Sequence, residues 1–275
     1  MPSKIFYINY KEVLSNPTIK FAERMLKKAK GATKVVSVGG GSSIDTAKYI
    51  SFYLKIPHKA IPTTAGTGSE ATKFAVFIKD GKKISLEDEK LIPEEYELNP
   101  KLVVSCPSEV TASSGLDALS QAIESYWSPN ATKESKEFSR ISFELTMEYL
   151  LLSYKNPKNE TFRMKMLEAA HFSGKAINIT RTSICHAISY YLTINYGVPH
   201  GIACVSTLPI FMKLFNFKQI PYKEVENLIK NLNVDIVPIL KRIDKDVVEE
   251  AFESSRASNI PLKLTEKDIC KLLCQ

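Results

Sequence analysis

Three consecutive glycines stand between two apolar runs near the start of the chain. Residues 35–38 are rich in valine and predict a short buried β-strand, and residues 44–50 predict the start of a helix. The residues between them, 39–43, are glycines and serines. In such a unit the glycines let a ligand approach the backbone, and the free N–H groups of the helix attract negative charge. The pattern predicts an α/β fold, with a turn that either binds a phosphate or only joins strand to helix.

The surrounding residues extend this α/β pattern. The further predicted elements are an amphipathic helix over 17–30, a strand over 59–62, a β-hairpin over 74–86 and a strand over 102–105. A loop of small hydroxyl and glycine residues, 63–70, follows the second strand. Its hydroxyls could bond phosphate or ribose oxygens, or it could be an ordinary polar loop.

From Ser108, the predicted N-cap of a long helix, the pattern is almost entirely helical. Further helices are predicted over 134–154, 161–179, 222–232, 234–243, 246–255 and 265–273. We therefore expect two domains, an α/β domain over residues 1–105 and a helical domain over residues 106–275.

Polar side chains recur on one face of the helix that begins near Ser108. Asp117, Gln121 and Glu124 stand at i, i+4 and i+7 and so share that face. A buried carboxylate is costly unless it is paired, and a metal ion would satisfy it. The alternative is a polar face turned to solvent.

Two of the four histidines stand at the two ends of one short segment. His186 lies in a predicted helix over 183–192, residues 195–199 interrupt it, and His200 opens a second apolar run. Imidazoles on either side of a tight connection can converge on one Zn²⁺ or Fe²⁺, with a carboxylate from elsewhere in the chain. The alternative is two unrelated histidines.

Composition excludes several classes of protein. No apolar run among the 275 residues reaches transmembrane length, and no signal-peptide pattern opens the chain, so no membrane partner is expected. The five cysteines form no metal-binding pair and no disulfide ladder, which indicates a reducing, cytoplasmic location. The net charge of +7 comes from scattered lysines rather than a basic block, so nucleic acid is not an expected partner. The net positive charge could also indicate a preference for anionic ligands.

Four motifs in order resemble the iron-containing (group III) alcohol dehydrogenase family, which shares its fold with dehydroquinate synthase and glycerol dehydrogenase. The motifs are residues 39–48, 62–70, 115–124 and 199–201, followed by a late element over 256–261. The resemblance runs from about Val35 to the end. It implies a dehydroquinate synthase-like fold, with an α/β nucleotide-binding domain followed by an all-α domain.

The resemblance implies an NAD- or NADP-linked reduction of an aldehyde, or the reverse oxidation. The implied pyrophosphate-binding residues are Gly40, Gly41 and Ser42, and the other implied cofactor contacts are Asp45, Thr63, Thr64, Thr67 and Lys83. The family has a further strand and helix before the part matching residues 5–30. We expect that portion, which selects between NAD and NADP, to be missing here.

The resemblance also implies a metal site. Asp117, His186 and His200 match three of the family's four ligand positions, and Gln121 stands where the family has a histidine. Fe²⁺ is the expected metal and Zn²⁺ the alternative. Tyr190 replaces a second histidine to which proton transfer is attributed, so the proton comes from Tyr190, solvent or a ribose hydroxyl.

The run 180–190 is similar to the phosphonoacetaldehyde reductase branch of the family. Arg181 in this run suits a carboxylate or phosphonate, so we expect Tyr190 and Arg181 to be catalytic residues acting on a small, anionic aldehyde. The alternative interpretation is that Arg181 is an arginine at the surface or at the start of a helix, without a role in binding. A homodimer is compatible with the resemblance. The alternative functions are a dehydroquinate synthase-type lyase and a non-catalytic or truncated descendant.

Overall fold

A four-stranded parallel sheet organises the N-terminal part of the chain. The computed structural model describes residues 4–9, 11, 13 and 16–274. The strands are β1 (Ile5–Asn9), β2 (Lys34–Gly39), β3 (His58–Pro62), β4 (Phe74–Lys79), β5 (Lys82–Glu87) and β6 (Glu95–Tyr96). The sheet order is β1-β2-β3-β6, and β4 and β5 form a separate antiparallel hairpin. The strands near the glycine turn and the hairpin therefore lie where the sequence predicts them.

Helices α1 (Ile19–Lys28) and α2 (Gly41–Leu54) flank β2 in the chain. β2 ends at Gly39 and Gly40 is the N-cap of α2, so the chain passes from strand to helix within two residues. The predicted strand, glycine turn and helix are confirmed. The carboxyl ends of β2 and β3 lie side by side, because Gly39 is in register with Pro62. The glycine turn and the loop after β3 consequently meet at one edge of the sheet.

The strand predicted over 102–105 is wrong. This region forms a single 3₁₀ turn, Pro100–Leu102, followed by further turns. The side-chain oxygen of Asn99 accepts the backbone N–H of Lys101 at 3.1 Å, and the intervening proline has a backbone angle suited to the start of a helix. Val103 is fully buried, but it packs into the helical core rather than the sheet.

The rest of the chain is helical. Its helices are α3 (Ser108–Trp127), α4 (Lys133–Lys155), α5 (Glu160–Thr180), α6 (Ile184–Tyr196), α7 (His200–Leu214), α8 (Tyr222–Asn231), α9 (Val237–Leu240), α10 (Lys245–Phe252) and α11 (Glu266–Leu273). α3 is central, packing against α4, α5 and α7. None of the helices in the described ranges is both long and apolar enough to cross a membrane.

Two helix predictions need correction. Pro107, not Ser108, occupies the N-cap position of α3. The helix predicted over 234–243 is only the single turn α9, because Pro238 lacks an N–H and fits only the first turn of a helix. The side chain of Asp235 accepts the N–H of Val237 at 3.0 Å and so fixes the late start.

Candidate active site

A cavity of about 600 Å³ is lined by residues from both the α/β part and the helical part of the chain. Six of the predicted cofactor contacts line it, namely Gly41, Ser42, Asp45, Thr64, Thr67 and Lys83. All four predicted metal ligands line it as well, namely Asp117, Gln121, His186 and His200. Tyr190 and Arg181 also face this cavity. Gly41 and His200, which are 159 positions apart in the sequence, therefore line one space.

The glycine turn lies in close contact with the loop after β3. A Cβ atom added to Gly41 would lie 2.8 Å from Cγ2 of Thr67, and one added to Gly40 would lie 3.0 Å from Oγ1 of Thr64. Thr63 does not line the cavity, but its N–H donates to the carbonyl of Gly39 at 3.0 Å. Glycine is thus needed at both positions so that the two loops can pack closely. The N-terminus of α2 then faces the cavity.

The carboxylate of Asp45 has partners within the protein. It accepts the hydroxyl of Ser69 at 2.6 Å and the backbone N–H of Val76 at 2.9 Å. Burial raises the pKa of Asp45, against the opposing charge of Lys48. Lys48 is itself fully buried and donates to the carbonyls of Thr72 and Phe74, both at 2.7 Å. These two side chains of α2 therefore hold the loop after β3 and the hairpin in place.

Three predicted metal ligands converge at the helical side of the cavity. Nε2 of His186 lies 3.2 Å from Oδ1 of Asp117, and Nε2 of His200 lies 3.9 Å from the same oxygen. Cys204 joins them, and one ligand atom from each of the four residues lies within 4.8 Å of all the others. Carboxylate, imidazole and thiolate are ligands of Zn²⁺ and Fe²⁺, so the donor set fits a divalent metal.

The position of His200 depends on the glycine that follows it. A Cβ atom added to Gly201 would lie 1.8 Å from the carbonyl oxygen of Ser113 and 2.8 Å from the backbone nitrogen of Asp117. The first turn of α7 therefore touches the backbone of α3 directly. Such an approach is open only to glycine, and it places His200 next to Asp117.

Glu124 determines the orientation of His186. Its fully buried carboxylate accepts the backbone N–H groups of Ser183, Cys185 and His186 and also contacts Nδ1 of the His186 ring. It thus satisfies the free N–H groups at the start of α6 and directs Nε2 of His186 towards Asp117. The sequence pattern places Glu124 on the same helix face as Asp117, but does not reveal its partner.

The two imidazoles have opposite electrostatic environments. Burial and the charge of Lys83 hold the pKa of His200 well below its ordinary value, so its ring is neutral and has a free lone pair. Burial also disfavours the charged form of His186, but its contacts with Cys204, Glu124 and Asp117 outweigh burial and raise the pKa of His186 well above its ordinary value. Without a metal, His186 therefore carries a proton between two carboxylates, a position in which positive charge is stabilised.

Gln121 lies in the cavity wall with its amide oxygen already in use. That oxygen accepts the hydroxyl of Ser173 at 2.9 Å. Cys204, which no sequence motif marks as a ligand, stands one helical turn after His200 with its sulfur 3.8 Å from Nε2 of that ring. The spacing of His200 and Cys204, i and i+4 in an apolar helix, is the signal that could have identified it.

A cationic group of side chains surrounds Tyr190, whose ring stacks on His200 with 5.8 Å between ring centres. Nζ of Lys83 lies 4.5 Å from the centre of the Tyr190 ring, and Cζ of Arg256 lies 5.4 Å from it. Burial lowers the pKa of Lys83 to about 8, against the opposing charges of Cys204 and Asp117. Neither cation has a salt-bridge partner within the described residues.

Arg181 is placed differently from these two cations. Its guanidinium forms an ion pair with Glu87 and lies 3.5 Å from the hydroxyl of Ser255. The charge of Arg181 is thus compensated within the protein, although the residue lines the cavity. Arg256 instead donates from Nε to the hydroxyl of Thr182 at 3.0 Å, and its charge is not compensated by a carboxylate in the described ranges.

Comparison with known proteins identifies the family. The C-terminal model of the Fe-containing alcohol dehydrogenase family matches residues 111–273, and the iron-containing alcohol dehydrogenase model matches residues 2–100. The chain belongs to the iron-containing alcohol dehydrogenase family, as its motifs predict.

Several curated relatives are aldehyde or alcohol oxidoreductases. The chain is 40% identical over 151 residues to the phosphonoacetaldehyde reductase of Streptomyces viridochromogenes, an alignment that covers 54% of this chain and 38% of that protein. It is 34% identical over 202 residues to the NAD-dependent methanol dehydrogenase of Bacillus methanolicus, with 66% and 53% covered. It is 30% identical over 236 residues to the sulfoacetaldehyde reductase of Bilophila wadsworthia, with 78% and 61% covered. The alignments span only 38–61% of these three relatives.

Solved structures confirm the predicted fold class. The sulfoacetaldehyde reductase of Bifidobacterium kashiwanohense in complex with NAD⁺ superposes with a TM-score of 0.91 at 24% identity, covering 98% of this chain and 90% of that one. The alcohol dehydrogenase of Oenococcus oeni superposes with a TM-score of 0.87 at 25% identity, covering 95% and 82%. The α/β part followed by a helical part is therefore the architecture of this family.

Proposed function

We propose that the protein is a metal-dependent reductase that converts a small aldehyde to an alcohol with NADH or NADPH, reversibly. The observation that carries this proposal is the convergence of Asp117, His186 and His200 within the cavity that the glycine turn also lines. A dehydrogenase needs its nucleotide and its electrophilic centre in one enclosed space, and this cavity supplies both surfaces.

Different residues of the cavity would bind the nucleotide and the metal. Gly41 and Ser42, at the N-terminus of α2, would hold the pyrophosphate and so orient the nicotinamide towards the helical side. Asp117, His186 and His200 would hold Fe²⁺ or Zn²⁺, which supplies Lewis acidity towards the substrate carbonyl oxygen. Glu124 would keep His186 in its ligating orientation.

Tyr190 is the proposed proton donor. Its ring stacks on His200, which places the phenol in the same part of the cavity as the three ligands. The Oη proton of Tyr190, or one from solvent, would complete the alcohol.

The proposed substrate is an aldehyde that carries an anionic group, such as phosphonoacetaldehyde. Lys83 and Arg256 place two positive charges around Tyr190, and no carboxylate in the described ranges forms a salt bridge with either. Uncompensated cations in a half-enclosed cavity favour an anionic ligand. The similarity to phosphonoacetaldehyde and sulfoacetaldehyde reductases supports the same class of substrate.

An assay of nicotinamide oxidation tests the proposed activity. We expect NADH or NADPH to be consumed in equal amount to the aldehyde, with activity lost after chelation and restored by Fe²⁺ or Zn²⁺. Product formation without net change in the nicotinamide would instead show a lyase of the dehydroquinate synthase type. Failure to bind either nucleotide in equilibrium dialysis would show a non-catalytic family member.

Replacing Arg256 tests the anion preference. We expect Arg256→Gln to raise KM for phosphonoacetaldehyde and sulfoacetaldehyde by about tenfold or more, since a charge-assisted hydrogen bond contributes roughly 1.5–3 kcal/mol. KM for a neutral aldehyde of similar size should change less than about twofold, because its carbonyl does not need the cation.

Arg181→Gln is the matched control, because it removes the same charge from a residue already paired with Glu87. We expect a smaller change in KM for the anionic aldehydes than that caused by Arg256→Gln. Equal losses on neutral and anionic substrates, or a larger effect of Arg181→Gln, would contradict the assignment.

A further inference from the structure

We propose that the thiolate of Cys204 is the fourth protein ligand of the metal, in place of Gln121. The inference deepens the proposed function, on which it rests for the presence of a metal. It assigns the site a donor set of one carboxylate, two imidazoles and one thiolate.

The geometry of α7 supports this assignment. His200 and Cys204 are one helical turn apart, so both side chains leave the helix on the same side. Sγ of Cys204 lies 3.8 Å from Nε2 of His200, and the four ligand atoms all lie within 4.8 Å of one another. In a tetrahedral site with ordinary metal–nitrogen and metal–sulfur distances, ligand atoms are separated by roughly 3.3–3.6 Å. The pairs at 3.2, 3.8 and 3.9 Å are within a few tenths of an ångström of this separation, and the widest pairs, at up to 4.8 Å, would have to shorten by about 1.2 Å when the metal binds.

Gln121 is in a less favourable position to ligate. Its amide oxygen lies 2.9 Å from the hydroxyl of Ser173, which is also 2.8 Å from the carbonyl oxygen of Ala170, and rotation of Gln121 towards a metal would give up the contact with Ser173. Cys204 is fully buried, and its sulfur lies 3.9 Å from Nδ1 and 3.8 Å from Nε2 of His200. No rearrangement of a hydrogen-bond network is therefore needed for the sulfur to ligate.

The charges of the site favour the thiolate as well. A divalent cation with Asp117, the buried carboxylate of Glu124 and the Cys204 thiolate leaves one net negative charge, which the nearby cations Lys83 and Arg256 would offset. With the neutral Gln121 in place of the thiolate, the metal and the two carboxylates sum to zero and both cations stay uncompensated. A buried charge is stabilised where an opposite charge lies near it. The thiol proton is released to solvent when the metal binds.

A sulfur ligand also changes the metal preference. Thiolate is a soft donor and favours Zn²⁺ and Co²⁺ over hard, oxygen-preferring cations such as Mg²⁺ and Mn²⁺. We therefore expect the protein to retain Zn²⁺ more tightly than a site of carboxylate, imidazole and amide donors would.

Cobalt spectroscopy on the full chain tests the proposal without any assay of turnover. We expect the metal-depleted protein to bind one Co²⁺ and to develop the near-ultraviolet thiolate-to-cobalt charge-transfer band. Cys204→Ser should lack this band and bind Co²⁺ at least about tenfold more weakly. Cys106→Ser is the matched control, because Cys106 is not one of the four clustered residues, and it should retain both the band and the affinity.

The other possible outcomes distinguish failure of the Cys204 assignment from failure of the proposed function. Binding of Co²⁺ without a thiolate band, with affinity lost in Gln121→Ala instead, would overturn the assignment of Cys204 but leave the metal site and the proposed function intact. A band that persists in Cys204→Ser would also overturn it. Absence of Co²⁺ and Zn²⁺ binding by the unaltered protein would overturn both. If Cys204→Ser does not fold, Cys204→Ala takes its place, and absence of the band in the unaltered protein would overturn the assignment by itself.

Discussion

His200→Ala is expected to abolish metal-dependent turnover, lowering kcat/KM by on the order of 10³-fold or more. The substitution removes a neutral imidazole whose Nε2 lies 3.9 Å from the carboxylate of Asp117 and 3.8 Å from the sulfur of Cys204. The remaining residues cannot replace it, because His186 is held by Glu124 in a fixed orientation. The ring of Tyr190 would also lose its stacking partner.

Metal content and turnover together check this prediction. The purified variant should hold less than one metal per chain and should not recover activity when Fe²⁺ or Zn²⁺ is supplied. His171→Ala is the matched control, because it removes another buried imidazole that does not line the cavity. That control should lose stability but keep its metal. Retained turnover in His200→Ala after chelation would refute the metal-dependent mechanism.

Gly201→Ala is expected to disrupt the metal site without changing any ligand. The added methyl would lie 1.8 Å from the carbonyl oxygen of Ser113, so the start of α7 must move away from α3. Because His200 is the preceding residue, the movement separates it from Asp117. Overpacking of this kind costs about 1–3 kcal/mol of stability, and more where the clash is with backbone.

A substitution at a second glycine distinguishes the loss of stability in Gly201→Ala from its loss of metal affinity. Gly81 has φ of +78° in the hairpin turn and open space around it, so Gly81→Ala costs stability through backbone strain alone. Both variants should melt at lower temperature, but only Gly201→Ala should bind Co²⁺ more weakly. Equal metal affinity in Gly201→Ala and the unaltered chain would show that α7 can shift without moving His200.

Much of the fold could be predicted because its signals are local. The passage from β2 through the glycine turn to α2 is contained in residues 34–54, and the hairpin turns at Asp80 and Gly81. The failure at residues 102–105 is also local, because the side chain of Asn99 and the following proline convert an apolar run into a turn.

The site was predicted only in part, because its contacts are between distant residues. Asp117, His186 and His200 were identified through motifs of the family, but Cys204 and Arg256 were not selected as functional side chains. Glu124 contacts His186 across 62 positions of the sequence, which no periodic pattern records. The ion pair of Arg181 with Glu87, across 94 positions, is equally invisible in the sequence. For this reason we propose Lys83 and Arg256, rather than Arg181, as the contacts of an anionic substrate.

The buried carboxylate of Glu124 has a consequence for how this protein could diverge. One side chain both completes the backbone hydrogen bonds of α6 and orients a metal ligand. Any substitution there alters folding and chemistry together, so neither property can be selected independently at that position. We expect new substrate preferences to arise instead at residues such as Arg181 and Arg256, which line the cavity and do not bond the backbone N–H groups of α6.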